Sequence, residues 1–209
     1  MTRQWHFTDA PSPGQLSEIA KTLEEGSVVL LPTDTIYGLH AVASNGAAVA
    51  RIAELKGRDE TKPFIVLASS VSEFPQLGIA APPEILDALQ SIWPAPLTAI
   101  LPLERAIPAS RGASTLAVRI PALDWLRALV DRTGPLVSTS ANRSGERAVD
   151  QPEFLAAEMR NQLGGIADGG PRQAEPSAIL DLSSDEPRFI REGERFFTQK
   201  VWKTLRKTL

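Results

Sequence analysis

Short apolar runs rich in β-branched residues alternate with segments of helical periodicity along most of this chain. The runs predict strands at residues 27–31, 64–68, 97–101, 115–120, 136–139, 178–182 and 188–191. The periodic segments predict helices at residues 13–25, 47–55, 83–92, 123–132, 152–162 and 196–209. This alternation is typical of an α/β domain. The gap between residues 101 and 115 is too short for a helix, so we expect antiparallel neighbours there and a mixed sheet.

The first helix has clear start and stop signals. Ser12 is a good N-cap, Pro13 suits the first helical position, and Gln15 stands three residues after the cap. Gly26 then predicts the end of the helix. We therefore expect a helix that leads directly into the strand at 27–31.

Composition excludes several classes of protein. The chain has 209 residues, of which 43% are hydrophobic, enough for one sizeable core. We expect a cytoplasmic protein without a membrane segment, because no apolar run reaches about 18 residues and residues 1–9 do not resemble a signal peptide. The absence of cysteine excludes disulfides and thiolate chemistry. His6 and His40 alone leave little for a histidine-built metal site, and the sequence does not identify the ligands of any metal.

Polar residues follow the strand at 27–31. Thr33, Asp34, Thr35 and Tyr37 stand just past it, where open α/β sheets bind their ligands. These groups could orient a polar substrate. A turn in which threonine and aspartate satisfy the local backbone explains them equally well.

Two cations end the helix at 47–55. Lys56 and Arg58 flank Gly57, and this pattern suits both a C-cap that complements the helix dipole and a phosphate site. No Gly-x-x-x-x-Gly-Lys-Ser/Thr motif precedes it, so a P-loop is excluded. The segment 138–145 is dense in small polar groups that could bind a phosphate or form an exposed turn.

Further cations stand beside predicted strands and in the last helix. Arg119 and Arg191 could face a ligand or pair with a surface carboxylate. Lys200, Lys203 and Lys207 are typical of a solvated helix end, with an RNA contact as the alternative. The formal net charge of −3 argues against a protein whose whole surface binds nucleic acid.

Six ordered blocks together resemble one known family. They are residues 32–39, 55–58, 62–67, 93–98, 116–121 and 137–145. This series resembles the YrdC/TsaC family, the threonylcarbamoyl-AMP synthases, from about residue 15 to about residue 195. We therefore expect one YrdC-like domain over residues 1–209, with a twisted mixed parallel and antiparallel sheet and flanking helices around a large concave, positively lined cavity.

The resemblance implies a nucleotidyltransferase. Its substrates would be L-threonine, bicarbonate or CO2, and ATP, and its products threonylcarbamoyl-adenylate and pyrophosphate. A downstream tRNA threonylcarbamoyl transferase complex would use the adenylate to modify an adenosine next to the anticodon. Negative charge gathers during this reaction, so we expect Mg²⁺ to share the phosphate charge with the protein.

The resemblance also implies roles for individual residues. The catalytic group would be Lys56, Arg58, Ser140 and Asn142. The ATP site would contain Lys56, Arg58, Lys62, Ser140, Asn142 and Arg191. The L-threonine site would contain Thr35, Tyr37, Arg119, Ser138 and Ser177. No general base stands out.

The sequence departs from the family pattern at two positions. Many members carry a histidine at the position of Leu67, where it helps to hold the threonine, and leucine offers no donor. Ala95 replaces the usual glycine of the Trp-Pro-Gly-Pro block.

Two other functions fit parts of the pattern. An RNA-binding module could use the same basic cavity without catalysis, and the net charge of −3 counts against it. Carbamoyl transfer for hydrogenase maturation uses a related domain inside a longer, zinc-containing protein, and the lack of cysteine counts against it.

Overall fold

The computed structural model describes residues 2–57, 64–143, 145–184 and 186–206, and within them ten strands form one sheet. The strands are β1 Arg3–His6, β2 Val29–Pro32, β3 Tyr37–Val42, β4 Ile65–Leu67, β5 Leu97–Pro102, β6 Thr115–Arg119, β7 Leu136–Ser140, β8 Gly165–Asp168, β9 Ala178–Asp181 and β10 Arg188–Arg191. The α-helices are α1 Pro13–Glu24, α2 Gly46–Lys56, α3 Pro83–Gln90, α4 Asp124–Thr133, α5 Ala157–Arg160 and α6 Arg195–Leu205. Short 3-10 helices cover Val71–Glu73, Pro108–Ser110 and Pro152–Phe154.

The sheet is mixed, as the sequence predicts. Its strand order is β1-β8-β2-β3-β7-β4-β6-β5-β9-β10. The pairs β1/β8, β8/β2, β4/β6 and β5/β9 are parallel, and the other neighbours are antiparallel. The antiparallel pairing of β5 with β6 confirms the expectation from their short connection.

The start of α1 forms as its sequence predicts. The Ser12 hydroxyl accepts a hydrogen bond from the Gln15 backbone N–H at 3.3 Å, and the Gln15 side chain accepts one from the Ser12 N–H at 2.9 Å. This reciprocal pair satisfies two backbone donors at the helix start. Gly26 follows the helix with a φ of 83°, which glycine adopts at little cost.

Two apolar clusters cover the two faces of the sheet. The larger contains Ile52 of α2, Leu89 of α3 and Val201 of α6. The smaller packs α1 and α4 against Leu67 and Leu136. Alternation along β3 places Leu39 in the larger cluster, so Gly38 and His40 face the opposite side.

Three strands are missing from the sequence prediction, namely β1, β3 and β8. β3 contains Gly38 and His40, and β8 begins with Gly165, so neither has a continuous β-branched run. Long-range pairing decides their conformation, because β3 pairs with β2 and β7 while β8 pairs with β1 and β2. The polar segment after β2 is therefore the turn of a hairpin.

The single helix expected at 152–162 is wrong. The structure has a 3-10 helix at Pro152–Phe154 and a short α5, with extended backbone at Leu155 between them. Leu155 is buried in the larger cluster, which draws the chain inward. The Arg160 guanidinium donates hydrogen bonds to the carbonyl oxygens of Pro152 and Glu153 and so satisfies groups that the helix would have used.

α6 buries Val201 and Leu205 and leaves Lys200 and Lys203 exposed. This agrees with an amphipathic helix with solvated lysines, and Lys207 lies outside the described residues. Across the ranges given above, no helix has the length and apolar character needed to span a membrane.

Candidate active site

A cavity of about 540 Å³ opens on the face of the sheet that also carries α1 and α4. Ile65 of β4, Ile100 of β5, Ala117 of β6 and Ile179 of β9 form an apolar part of its lining. Ile65 also packs against the α1/α4 cluster, so the cavity begins where the cover of these helices ends. Its volume is in the range of small-molecule sites.

One end of the cavity is built on the turn between β2 and β3. Arg119, at the end of β6, forms an ion pair with Asp34 and donates a hydrogen bond to Thr35 Oγ1 at 3.0 Å. The side chains of Arg119 and Asp34 are only 6% and 8% exposed. The turn is rigid as well, because Thr33 Oγ1 accepts from the backbone N–H groups of Thr35 and Ile36. The structure thus holds a buried, neutralised cation beside two hydroxyl groups.

The second polar group joins the end of α2 to the loop after β7. Lys56 is 4% exposed, and its ammonium donates to Ser140 O at 2.7 Å, to Asn142 Oδ1 at 2.7 Å and to Ser140 Oγ at 3.3 Å. Gly57 ends α2 in the left-handed region, as its C-cap pattern predicts. Lys56 therefore shapes the segment from Ser140 to Asn142, which lines the cavity.

A third group lies at the ends of β5, β9 and β10. The Arg191 Nε donates to the Ser177 carbonyl oxygen at 2.8 Å, and the Ser177 hydroxyl lies 2.9 Å from Thr98 Oγ1. Partial burial of the guanidinium and the charge of Arg119 both lower the pKa of Arg191, although the residue is exposed at the rim of the cavity. The two guanidinium groups therefore act on one another, and both line the same cavity.

Tyr37 ties β3 to the segment that follows β8. Its hydroxyl donates to Gly170 O at 2.7 Å and accepts from the Gly169 N–H at 3.0 Å. Burial raises the pKa of Tyr37 to about 12, so the hydroxyl stays neutral. The segment held in this way leads to Pro176 and Ser177 at the cavity.

Replacing Tyr37 with phenylalanine should lower the free energy of unfolding by about 1–3 kcal/mol, because two backbone groups lose their partner in a largely buried place. Urea denaturation measures this change. Ser72→Ala is the matched control, since its exposed hydroxyl bonds with the Ser70 hydroxyl at the protein surface, and it should stay within about 0.5 kcal/mol. An equally small effect for Tyr37→Phe would contradict the role given to this hydroxyl.

We expect His40 to make the fold sensitive to acid. It is fully buried, and burial, reinforced by the charge of Arg119, lowers its pKa to about 4. The unfolded chain binds the proton near pH 6.5, so stability is full above that pH and falls as the pH drops toward 4. We expect this residue to account for about 2–3 kcal/mol of lost stability between pH 7 and pH 4.5.

The measurement is urea denaturation of the wild type and of His40→Gln at both pH values. The glutamine variant should lose less stability on acidification, because it has no buried imidazole at residue 40 to protonate. Equal losses in the two proteins would show that the buried imidazole does not drive the acid sensitivity.

The cavity gathers most of the residues that the sequence singles out. The predicted residues that line it are Thr35, Tyr37, Arg119, Ser138, Ser140, Asn142, Ser177 and Arg191. Lys56 contacts this lining from behind. Arg58 and Lys62 lie outside the described residues. The role of each residue stays a prediction.

Three contributors were not predicted from the sequence. Thr98 holds Ser177, His40 lies beside Ser138, and Glu146 lines the cavity. Thr98 is the last residue of the block 93–98, and its place in that block could have marked it as a site residue. His40 could have been placed by its spacing of two residues from Gly38, once the segment is read as a strand.

The described part of the chain contains no cluster of three or more histidine, aspartate or glutamate side chains suited to a metal ion. Glu146 is the one carboxylate among the described residues that line the cavity. Leu67, at the position where many relatives have a histidine, is 1% exposed and packs with the α1/α4 cluster. It contributes no polar group to the cavity.

Comparison with known proteins assigns this chain to a family. The family model Sua5/yciO/yrdC, described as telomere recombination, matches residues 21–193. The threonylcarbamoyl-AMP synthase of Bacillus subtilis is 35% identical over 201 residues, and that of Alkalilimnicola ehrlichii is 38% identical over 182 residues. The chain belongs to the Sua5/YciO/YrdC family.

Solved structures of this family have the same fold. Pyrococcus abyssi Sua5 complexed with L-threonine superposes with a TM-score of 0.87 at 30% identity, covering 96% of this chain and 61% of that chain. Escherichia coli YciO has a TM-score of 0.82 at 23% identity, covering 93% and 97% of the two chains. The mixed sheet is therefore the fold of the Sua5/YciO/YrdC family.

Family members differ in length. The alignment covers 92% of this chain but 58% of the Bacillus subtilis relative, and 82% of this chain but 52% of the Pyrococcus abyssi relative. For the Alkalilimnicola ehrlichii relative the coverage is 81% of this chain and 92% of the relative. The part of the family shared with this chain thus spans slightly more than half of some members and nearly all of others.

Proposed function

We propose that this chain is an L-threonylcarbamoyladenylate synthase, a nucleotidyltransferase that uses L-threonine, bicarbonate or CO2, and ATP. The observation that carries the proposal is a single cavity with a buried Arg119–Asp34 pair at one end and a Lys56-bound loop at another. The name of the Alkalilimnicola ehrlichii relative, most of whose length this chain spans, supports the proposal.

The threonine would bind at the end that carries Arg119. The Arg119 Nε is buried and has no hydrogen-bond acceptor among the described residues, so a carboxylate oxygen is a suitable partner. Thr35 and Ser138 would add neutral hydroxyl groups for the other polar atoms of the amino acid. The pairing with Asp34 keeps the guanidinium in place before the substrate arrives.

The nucleotide would bind along Ser140, Asn142 and Arg191. Hydroxyl, amide and guanidinium groups can all donate to phosphate or base oxygens. The charge of Lys56 lies directly behind the first two residues and favours an anion beside them. Arg58 and Lys62 belong to this predicted set as well.

The reaction proceeds in two steps. The threonine nitrogen forms a bond to the carbon of CO2 and loses a proton, which gives a carbamate. A carbamate oxygen then attacks the α-phosphorus of ATP, the bond to the bridging oxygen breaks, and pyrophosphate leaves. The side chains named above position the reactants and stabilise the negative charge that gathers.

Magnesium would accompany ATP in this proposal and neutralise phosphate charge. Mg²⁺ usually keeps several waters and takes one or two protein carboxylates besides the phosphates. Glu146 is the carboxylate of the described cavity lining that could serve in this way.

The test is a pyrophosphate-release assay with ATP. We expect release that requires both L-threonine and bicarbonate and that collapses in Arg58→Ala. Release without threonine would overturn the proposal. Tight, salt-sensitive RNA binding without turnover would favour an RNA-binding module instead.

The adenylate is a reactive mixed anhydride and needs an acceptor enzyme. We propose the tRNA threonylcarbamoyl transferase complex as this downstream partner and the cytoplasm as the location. The test is whether an activity that transfers the threonylcarbamoyl group from the adenylate to tRNA co-purifies with this chain. We expect that it does.

A further inference from the structure

A row of paired residues crosses the sheet beside the cavity. His40 of β3 pairs with Ser138 of β7, Ser138 pairs with Ile65 of β4, and Ile65 pairs with Ala117 of β6. Paired residues on neighbouring strands project to the same face. Ser138, Ile65 and Ala117 line the cavity, whereas His40 is fully buried between Ser138 and its other pairing partner, Val29 of β2. His40 therefore lies behind the wall that Ser138 forms.

The imidazole of His40 reaches the Ser138 hydroxyl. His40 Nε2 lies 3.1 Å from Ser138 Oγ, within hydrogen-bond distance. Gly38 makes room for the ring, because a Cβ at that position would lie 2.8 Å from His40 Cε1. The ring thus occupies space that a side chain at residue 38 would fill, with one nitrogen directed at Ser138.

The stability of the fold does not by itself explain the hydrogen bond between His40 and Ser138. Ser138 lines a cavity, so water could satisfy its hydroxyl. Burying an imidazole costs folding free energy that an apolar side chain at residue 40 would avoid. Because the ring stays neutral at physiological pH, Nε2 either donates to the Ser138 hydroxyl or accepts from it, and in both tautomers this contact ties the hydroxyl to the ring.

We propose that His40 is a positioning residue that orients the Ser138 hydroxyl toward the threonine part of the substrate. This inference rests on the proposed function. His40 does not itself touch the substrate, because Ser138 lies between the ring and the cavity. Its effect should therefore disappear when the hydroxyl of Ser138 is removed.

The experiment is a double-mutant cycle with His40→Leu, Ser138→Ala and the double variant. The readouts are KM for L-threonine, KM for ATP and kcat in pyrophosphate release. We expect His40→Leu to raise KM for L-threonine about tenfold, the value of one well-made hydrogen bond, with KM for ATP unchanged. The double variant should match Ser138→Ala within about twofold, because both changes remove the same interaction.

Two further variants separate positioning from packing. His40→Gln carries an amide that can reach the place of Nε2, so it should recover most of the affinity for L-threonine. His40→Asn is too short and should behave like His40→Leu, and it replaces that variant if the leucine protein does not fold. Thr22→Val is the matched control, a buried polar change in α1 outside the cavity lining, and it should leave both KM values unchanged.

The outcomes are distinct. The role of His40 would be overturned if the KM increases of His40→Leu and Ser138→Ala multiplied in the double variant. It would also be overturned if KM for ATP rose as much as KM for L-threonine, or if His40→Gln bound L-threonine no better than His40→Leu. If the wild type releases no threonine-dependent pyrophosphate, the proposed function fails, and calorimetric titration of the same variants with L-threonine then decides the inference. Absence of any threonine binding to the wild type would overturn both.

Discussion

Arg119→Met should lower the free energy of unfolding by about 3–5 kcal/mol and abolish threonine-dependent pyrophosphate release. The variant leaves the Asp34 carboxylate, whose side chain is 8% exposed, without its partner. It also removes the donor to Thr35. Breaking a buried ion pair from one side costs far more than the pair contributes, because the remaining charge stays buried. Urea denaturation and the pyrophosphate assay measure the two effects.

An exposed ion pair provides the control for this prediction. Arg3 and Glu25 lie 3.4 Å apart, with side chains 44% and 46% exposed, so Glu25→Gln should cost less than about 1 kcal/mol. The double variant Asp34→Asn/Arg119→Met should regain part of the stability lost in Arg119→Met, because no buried charge remains. It should not regain activity. A loss below 1 kcal/mol in Arg119→Met would contradict the buried-pair interpretation.

Lys56→Met should reduce kcat for pyrophosphate release by about 10²–10³-fold, the typical cost of losing one preorganised donor group. The ammonium is bonded to Ser140 and Asn142, so its removal changes both the charge behind the nucleotide end and the shape of that loop. Lys56→Arg should not restore the rate, because a planar guanidinium cannot replace a compact ammonium in a site that is 4% exposed.

Lys203→Met is the matched control for Lys56→Met. Lys203 is exposed near the end of α6 and is not part of the cavity lining, so its loss should change kcat less than about twofold. Thermal unfolding of both variants separates loss of fold from loss of rate. A folded Lys56→Met protein with kcat within about fivefold of the wild type would show that this ammonium is not needed for the reaction.

The sequence predicted the strongly patterned elements of the fold. The Ser12 capping box and the apolar face of α1 are local features, and both are present. The strands with continuous apolar runs, such as β5 and β6, also appear where the runs stand. The expected helix at 152–162 is wrong, because burial of Leu155 interrupts a segment that local propensity would leave helical.

The sequence predicted which residues belong to the candidate site, but not which of their side chains contact one another. Ser138, Ser140 and Asn142 were expected from one block of sequence, and all three line the cavity. The contacts of His40 and Thr98 were not predicted, since each bonds to a residue distant in the chain. Tyr37 was expected at the threonine site, and the structure gives its hydroxyl to Gly169 and Gly170.

Sequence alone determined the α/β class, both ends of α1, the C-terminal end of α2, and the six ordered blocks that indicate the family. These features depend on propensities and caps within a few residues, which act before any distant segment is in place. Only the tertiary structure decided that Arg119 pairs with Asp34 and that Lys56 bonds across 84 positions to Ser140. Such partners follow from the order in which strands lie side by side, and burial of the whole apolar core selects that order.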